Sequence, residues 1–242
     1  MALLAPTSRE AEQIEVLVER RLAGEPLQYL EGSVQFGPLE LLVDGRALIP
    51  RSETERLWEE AAASLRQAGP GTVIFDLGTG SGALALALKH SFPEAQVYGT
   101  DVSEAALTLA KENAARTGLD VTFLHGDLFE PFPQRLMGRV DLIVSNPPYV
   151  AEAEFAELPG DVRDHEPRVA LVSGPNGTEI IDRIADEGFW WVGIGGWVIC
   201  EIGETQGEAA MEAFLAFDRE VRPDLTGRDR ILVARRGASC CV

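Results

Sequence analysis

Five consecutive residues, Ser145-Asn146-Pro147-Pro148-Tyr149, follow the apolar run Val140, Leu142, Ile143 and Val144, the pattern of a strand that stops in a rigid turn. Proline has no backbone N–H and a locked φ, so the carbonyls around a Pro-Pro pair are held as fixed hydrogen-bond acceptors. With a polar Asn before them and an aromatic ring after, the stretch makes a cradle suited to a planar NH2 group; a rigid strand-to-loop turn without chemistry is the alternative. Upstream, Phe75-Asp76-Leu77-Gly78-Thr79-Gly80-Ser81-Gly82 sits between a strand pattern and a helix pattern, where glycines let the backbone turn tightly and approach a ligand closely. A dinucleotide fingerprint, G-x-G-x-x-G, would place its third Gly at 83, but Ala83 stands there and the Gly falls at 82. That spacing departs from NAD. With Asp76 just before it, the loop suits a cofactor bearing cationic groups, such as the amino and sulfonium centres of S-adenosylmethionine. Asp101 ends the next strand pattern, where its carboxylate can accept both ribose hydroxyls. Asp127 ends the third, where it can accept from an adenine amino group with Leu128 against the ring. Each acid alone could be a helix cap; three strand ends converging on one crevice make a site.

The elements that must position these residues are legible as periodicities. From Thr72 onward, short apolar runs alternate with helical patterns, as in a parallel sheet covered on both faces. Strands are expected at 72–77, 96–100, 121–125, 140–145, 197–202 and 231–234, and helices at 82–90, 103–117, from Thr178, and around 205–217. Residues 150–176, rich in charge and proline, read as a loop over the site. Ahead of this region, Thr7 and Glu10 form a capping-box pattern for a helix through Ala23 whose Ala11, Ile14, Leu17, Val18 and Leu22 share one face; such a helix is expected to dock on the main domain as a brace. Residues 32–50 suggest a β-hairpin. Ser52 and Glu55 form a second capping box, for a helix reaching about Ala68 before Gly69-Pro70-Gly71 breaks it.

Composition bounds the function classes. At 242 residues with 45% hydrophobic side chains the chain can bury a substantial core, and it contains no apolar run near the roughly 18 residues of a membrane span. The N-terminus lacks a secretory pattern, so a cytoplasmic location is expected. Cys200, Cys240 and Cys241 form neither a disulfide framework nor a metal-ligand spacing, and read as free thiols. A formal charge of −18 repels phosphate backbones, and no basic cluster offsets it. Direct nucleic-acid binding and membrane association are not expected, and a monomer is.

Taken together, Asp76 to Gly82, Asp101, Gly126-Asp127 and Asn146 to Tyr149 resemble the class I S-adenosylmethionine-dependent methyltransferases that act on planar amino or amide nitrogens. The chain is more closely similar to the HemK/PrmC glutamine methyltransferases, through Gly24-Glu25-Pro26-Leu27, Leu48-Ile49-Pro50-Arg51 with Glu53-Thr54-Glu55, Val144 to Val150, Glu166-Pro167 with Ala170-Leu171, Glu201-Ile202-Gly203 with Gln206, and Asp224-Leu225 with Gly227 to Arg230. The resemblance runs from about Arg21 to Arg236. It implies an α/β fold with a Rossmann-like doubly wound sheet, mostly parallel with an antiparallel C-terminal strand, over residues 51–242. A short helix and hairpin, residues 1–50, would lie on the substrate side. It implies S-adenosylmethionine held by Asp76, Gly78, Thr79, Gly80, Ser81, Gly82, Asp101, Asp127, Leu128 and Asn146, and a substrate glutamine held by Asn146, Pro147, Pro148 and Tyr149. Asn146, Pro147 and Tyr149 would carry catalysis. The substrate implied is the Gly-Gly-Gln glutamine of peptide-chain release factors; a ribosomal-protein glutamine, an exocyclic amino group of a nucleic-acid base and a non-catalytic binding module are the competing readings. No general base is required, and Asp164, His165 and Glu166 read as structural. Three positions depart from the family pattern: Ser52 in place of Pro, Leu128 in place of an aromatic residue, and His165 in place of Tyr.

Overall fold

Short apolar segments that alternate with helical ones are hidden by laying them side by side and covering both faces of the resulting sheet. The computed structural model, which describes residues 8–65, 68–224 and 226–238, has this arrangement. Helix α1 (Ser8–Leu22) and the short α2 (Leu27–Glu31) lead into a hairpin of β1 (Ser33–Phe36) and β2 (Leu39–Leu42), followed by α3 (Ser52–Ser64). The alternating region is β3 (Val73–Leu77), α4 (Ala83–Ser91), β4 (Gln96–Asp101), α5 (Glu104–Thr117), β5 (Thr122–His125) and β6 (Val140–Ser145). Two short strands, β7 (Val150–Ala151) and β8 (Val172–Gly174), flank the one-turn α6 (Gly160–Arg163). The chain then closes with α7 (Glu179–Trp191), β9 (Val192–Glu201), α8 (Gly207–Ala213), β10 (Asp218–Pro223) and β11 (Asp229–Arg235).

Seven strands form the main sheet in the order β10-β11-β9-β6-β3-β4-β5. The pairs among β9, β6, β3, β4 and β5 are parallel, and β11 runs antiparallel to both of its neighbours, as expected for the C-terminal strand. Every residue of β3 is buried. Val73, Phe75 and Leu77 point into one core with Phe132, Trp191 and Phe214, whereas Ile74 joins a second core with Leu57, Leu86 and the hairpin residues Phe36 and Leu41. Phe75 stacks on Phe132 with ring centroids 3.6 Å apart.

Several expectations need correction. Ser52 does not cap α3: Arg51 is the N-cap, with no side-chain capping bond, because the Glu55 carboxylate instead accepts from the Gly37 N–H across the hairpin turn at 2.8 Å. Residues 150–176 are not plain loop, since β7 and β8 pair in parallel and fold the segment back on itself. Strand β10 and helix α2 were not expected at all. Helix α1 forms, but its apolar face is not the docking face expected: Ile14, Leu17, Val18 and Leu22 are exposed, and α1 packs chiefly on α2. Thr7, Leu225, Cys240 and Cys241 lie outside the described residues.

One buried side chain ties the hairpin to α5 and to the loop after β3. Asn113, within α5 and fully buried, accepts from the Leu42 N–H at 2.7 Å and donates to the carbonyls of Leu42 and Ser81 at 3.1 and 3.0 Å. Asn113→Ala leaves those buried backbone groups without partners and is expected to cost about 1–3 kcal/mol in urea unfolding. A loss below about 0.5 kcal/mol would show that apolar packing alone holds the hairpin.

Candidate active site

In a parallel sheet the strand ends form a crevice where loops of opposite sense separate. Here a cavity of about 210 Å³ opens at the ends of β3, β4, β5 and β6 and is lined by Asp76, Gly78, Thr79, Gly80, Ser81, Asp101, Asp127, Leu128 and Asn146. The loop after β3 holds Gly78, Gly80 and Gly82 at φ of 66°, 55° and 83°, a region that L side chains rarely adopt. Gly82 does not line the cavity; a Cβ there would stand 3.2 Å from Ala110, so its role is to let α4 pack on α5. A Cβ at Gly78 would meet nothing within 4 Å, so its surroundings leave open space above the loop.

Two carboxylates secure that loop. Asp76 Oδ2 accepts from the Thr79 hydroxyl at 2.6 Å and the Ala85 N–H at 3.1 Å, while its Oδ1 is buried without a partner. Burial pushes its pKa up to about 7. Asp101 accepts from the Gly80 and Ser103 N–H groups, both at 2.9 Å, and burial raises its pKa as well. One bond to each Asp101 oxygen leaves a further lone pair on each. Asp127 is more exposed and pairs with Arg183 at 3.0 Å. Leu128 is buried at a φ of 43°, the only positive φ outside glycine among the described residues.

A second cavity, about 340 Å³, lies beside the first and is lined by Arg51, Glu53, Pro147, Tyr149, Val150, Glu201 and Arg230 among others. Leu48, Asn146 and Ala170 line both. Asn146 therefore stands in the partition. Its Nδ2 donates to Thr54 Oγ1 at 3.0 Å, and Thr54 Oγ1 donates to Glu201 Oε2 at 2.9 Å. The Tyr149 hydroxyl donates to Glu201 Oε1 at 3.4 Å. Register makes this possible: Ser145 pairs with Leu77 on one side and Cys200 on the other, which places Asn146 and Glu201 at neighbouring strand ends. Ser145 Oγ also donates to the Leu77 carbonyl at 2.8 Å.

The Pro-Pro turn is clamped from outside. Gln206 Nε2 donates to the Tyr149 carbonyl at 2.9 Å and to Gly177 at 3.1 Å, and its Oε1 accepts from the Gly203 N–H at 2.9 Å. Gly177 has a φ of 83°, and a Cβ there would meet the Tyr149 oxygen at 2.7 Å. Burial pushes the Tyr149 pKa up to about 12, which removes it as a proton donor or acceptor in the neutral range. The roof is Pro167, Val169, Ala170 and Val172. Beside it the buried Glu166 pairs with Arg51 at 2.5 Å, in keeping with a structural reading of that acid.

Thr54, Glu201 and Gln206 did not emerge from residue chemistry as site residues. Thr54 is hidden between two helix-start glutamates, and the only available signal was its place in the Glu53-Thr54-Glu55 triplet and that of Glu201 and Gln206 in matching family stretches.

The Gly-rich loop between the first central strand and its helix, the acids at successive strand ends and the reversed last strand are those of a methyltransferase. The sheet superposes on that of a methyltransferase from Pyrococcus furiosus with a TM-score of 0.61 at 18% identity, covering 94% of this chain and 98% of that one. Residues 56–158 match the methyltransferase small domain. A release factor glutamine methyltransferase of Deinococcus radiodurans is 44% identical over 221 residues, 90% of this chain and 77% of that protein. One of Moorella thermoacetica is 42% identical over 226 residues, 90% of this chain and 78% of that protein. The chain belongs to the release factor glutamine methyltransferase family.

Asp76 offers a direct electrostatic test. Its folded pKa of about 7 lies above the ordinary 3.8, so its contribution to stability is complete below pH 3.8 and is lost as pH rises through about 7. Asp76→Asn should remove that loss, so that its melting temperature relative to wild type rises between about pH 6 and about pH 8. A difference that is the same at both pH values would show that the Asp76 carboxyl ionises freely.

Proposed function

We propose that this methyltransferase transfers a methyl group from S-adenosylmethionine to the side-chain amide nitrogen of a protein glutamine, that of the Gly-Gly-Gln loop of peptide-chain release factors, acting as a monomer in the cytoplasm. The observation that carries this reading is the position of Asn146 in the wall between two cavities, with its Nδ2 already committed to Thr54 and its Oδ1 left as an acceptor. The names of the related proteins support the substrate.

The residues of the first cavity fit the cofactor. The unpartnered Asp76 Oδ1 suits an ammonium group, the remaining Asp101 lone pairs suit a diol, and Gly78, Thr79, Gly80 and Ser81 leave the space the ligand would fill, with Gly82 supporting them from α4. Asp127 and Leu128 would border the base. When bound, S-adenosylmethionine supplies an electrophilic methyl group on a cationic sulfur.

The second cavity would receive the glutamine, with residues 1–50 on its substrate side. An amide nitrogen is a weak nucleophile because its lone pair is shared with the carbonyl, so position must compensate. Asn146 Oδ1 and the Pro147 carbonyl accept the two N–H bonds, orient the nitrogen and favour the charge that develops on it. Pro148 holds the turn rigid, and Tyr149 supplies a flat apolar surface to the amide plane. No side chain need remove a proton, because an N-methylated cationic amide is strongly acidic. The charge of −18 disfavours a nucleic-acid substrate.

Labelled S-adenosylmethionine should mark a release factor in preference to ribosomal protein or nucleic acid. Asn146→Ala should lower turnover on a Gly-Gly-Gln peptide by on the order of a hundredfold to a thousandfold with cofactor affinity largely retained by calorimetry. Near wild-type turnover in that variant would reduce the Pro-Pro turn to scaffold.

A further inference from the structure

We propose that Thr54 and Glu201 are positioning residues for methyl transfer, because the hydrogen-bond chain from Glu201 through Thr54 to Asn146 decides which end of the Asn146 carboxamide faces the substrate. The inference rests on the glutamine-methylating reading above. The two ends of a carboxamide are nearly identical in shape and opposite in function, since the oxygen accepts and the NH2 donates. Only the oxygen can receive an N–H of the target amide; the NH2 end would oppose it hydrogen to hydrogen.

The polarity of the chain follows from donor accounting. An ionised Glu201 can only accept, so it takes the single Thr54 hydroxyl proton at 2.9 Å. Thr54 Oγ1 can then only accept, and at 3.0 Å it selects the NH2 end of Asn146. Thr54 is 4% exposed and Glu201 2%, so both are largely withdrawn from bulk solvent. Protonation of Glu201 reverses the sequence: its O–H donates to Thr54, Thr54 donates onward, and Asn146 turns its oxygen toward Thr54 and its NH2 toward the cleft.

Each element packed around Glu201 contributes to where that reversal falls. Burial raises its pKa to about 7, the Thr54 and Tyr149 hydroxyls and Arg230 of β11 oppose the rise, and Glu53 of α3 adds to it. Turnover should therefore increase with pH through the neutral range. A purely structural link between α3 and β9 would carry no such dependence.

The test compares wild type, Thr54→Val, Thr54→Ser and Glu201→Gln at saturating S-adenosylmethionine on a Gly-Gly-Gln peptide from about pH 6 to about pH 8.5. Wild-type kcat should rise with a midpoint near 7. Thr54→Val should lose on the order of a hundredfold in kcat with unchanged cofactor affinity, and Thr54→Ser should recover most of it. In Glu201→Gln the Tyr149 hydroxyl occupies Oε1 and Nε2 donates to Thr54, which mimics the protonated acid; its kcat should be low and flat with pH. Equal losses in Thr54→Val and Thr54→Ser, or a wild-type pH profile retained in Glu201→Gln, would overturn the proposal.

A second measurement is independent of the substrate. The chain has three asparagines, Asn113, Asn146 and Asn176, so with asparagine-selective 15N labelling the Asn146 side-chain signal is identified by its absence in Asn146→Ala. That signal should titrate with the Glu201 midpoint in wild type and lose the response in Thr54→Val. A signal indifferent to pH overturns the relay. If it titrates as expected but wild type methylates no Gly-Gly-Gln peptide, the relay stands and the substrate reading falls.

Discussion

Strand β3 is the constraint on which the rest depends. With every residue buried, it has no face that can be left to water, so its alternate side chains must start two separate cores. Phe75 and its neighbours gather α7, α8 and the aromatic group around Phe132 and Trp191 on one face. Ile74 shares the other with α3, α4 and the hairpin. Once both faces are covered, the only exposed part of the strand's surroundings is its carboxyl end, and there the chain must leave through Gly78. Parallel pairing with β4 and β6 brings Asp101 and Asn146 to the same edge. The location of the cleft is thus a by-product of how a fully buried strand, apolar except for Asp76, is hidden.

Local chemistry in this chain was readable where a residue type has few uses. Three glycines at positive φ, a Pro-Pro pair after an apolar run, and acids at strand ends are constrained enough that sequence alone points to their place. What stayed hidden depends on partners far along the chain. Thr54 and Glu201 are separated by 147 positions, and neither is unusual in its own stretch. Asn113 looks like any polar helix residue until the Leu42 backbone arrives beside it. The Ser52 capping pattern was locally sound and lost to a longer-range acceptor demand, the Gly37 N–H that Glu55 satisfies. The exposed apolar face of α1 shows the converse case: periodicity correctly gives the helix and says nothing about what it packs on.

The two cavities also place buried acids where, on the proposed reading, a cation and a polar amide would be bound. Asp76 and Glu201 are both held near neutrality by desolvation, so each is a group whose ionisation the fold resists. At Asp76 a positive ligand would relieve the resistance, whereas at Glu201 the Thr54 and Tyr149 hydroxyls and Arg230 oppose it. Burial that would be a defect in a purely structural domain here supplies two adjustable charges within one site.

Strand β10 has a consequence outside the site. It lies at the end of the sheet, paired on one side only, and an open row of backbone donors and acceptors is a template for another molecule's strand. Its sequence, Asp218 to Pro223, spoils that template: Asp218, Glu220 and Arg222 put charge along the edge, and Pro223 offers no N–H. The missing apolar run that conceals this strand from sequence reading also makes it a poor surface for edge-to-edge aggregation.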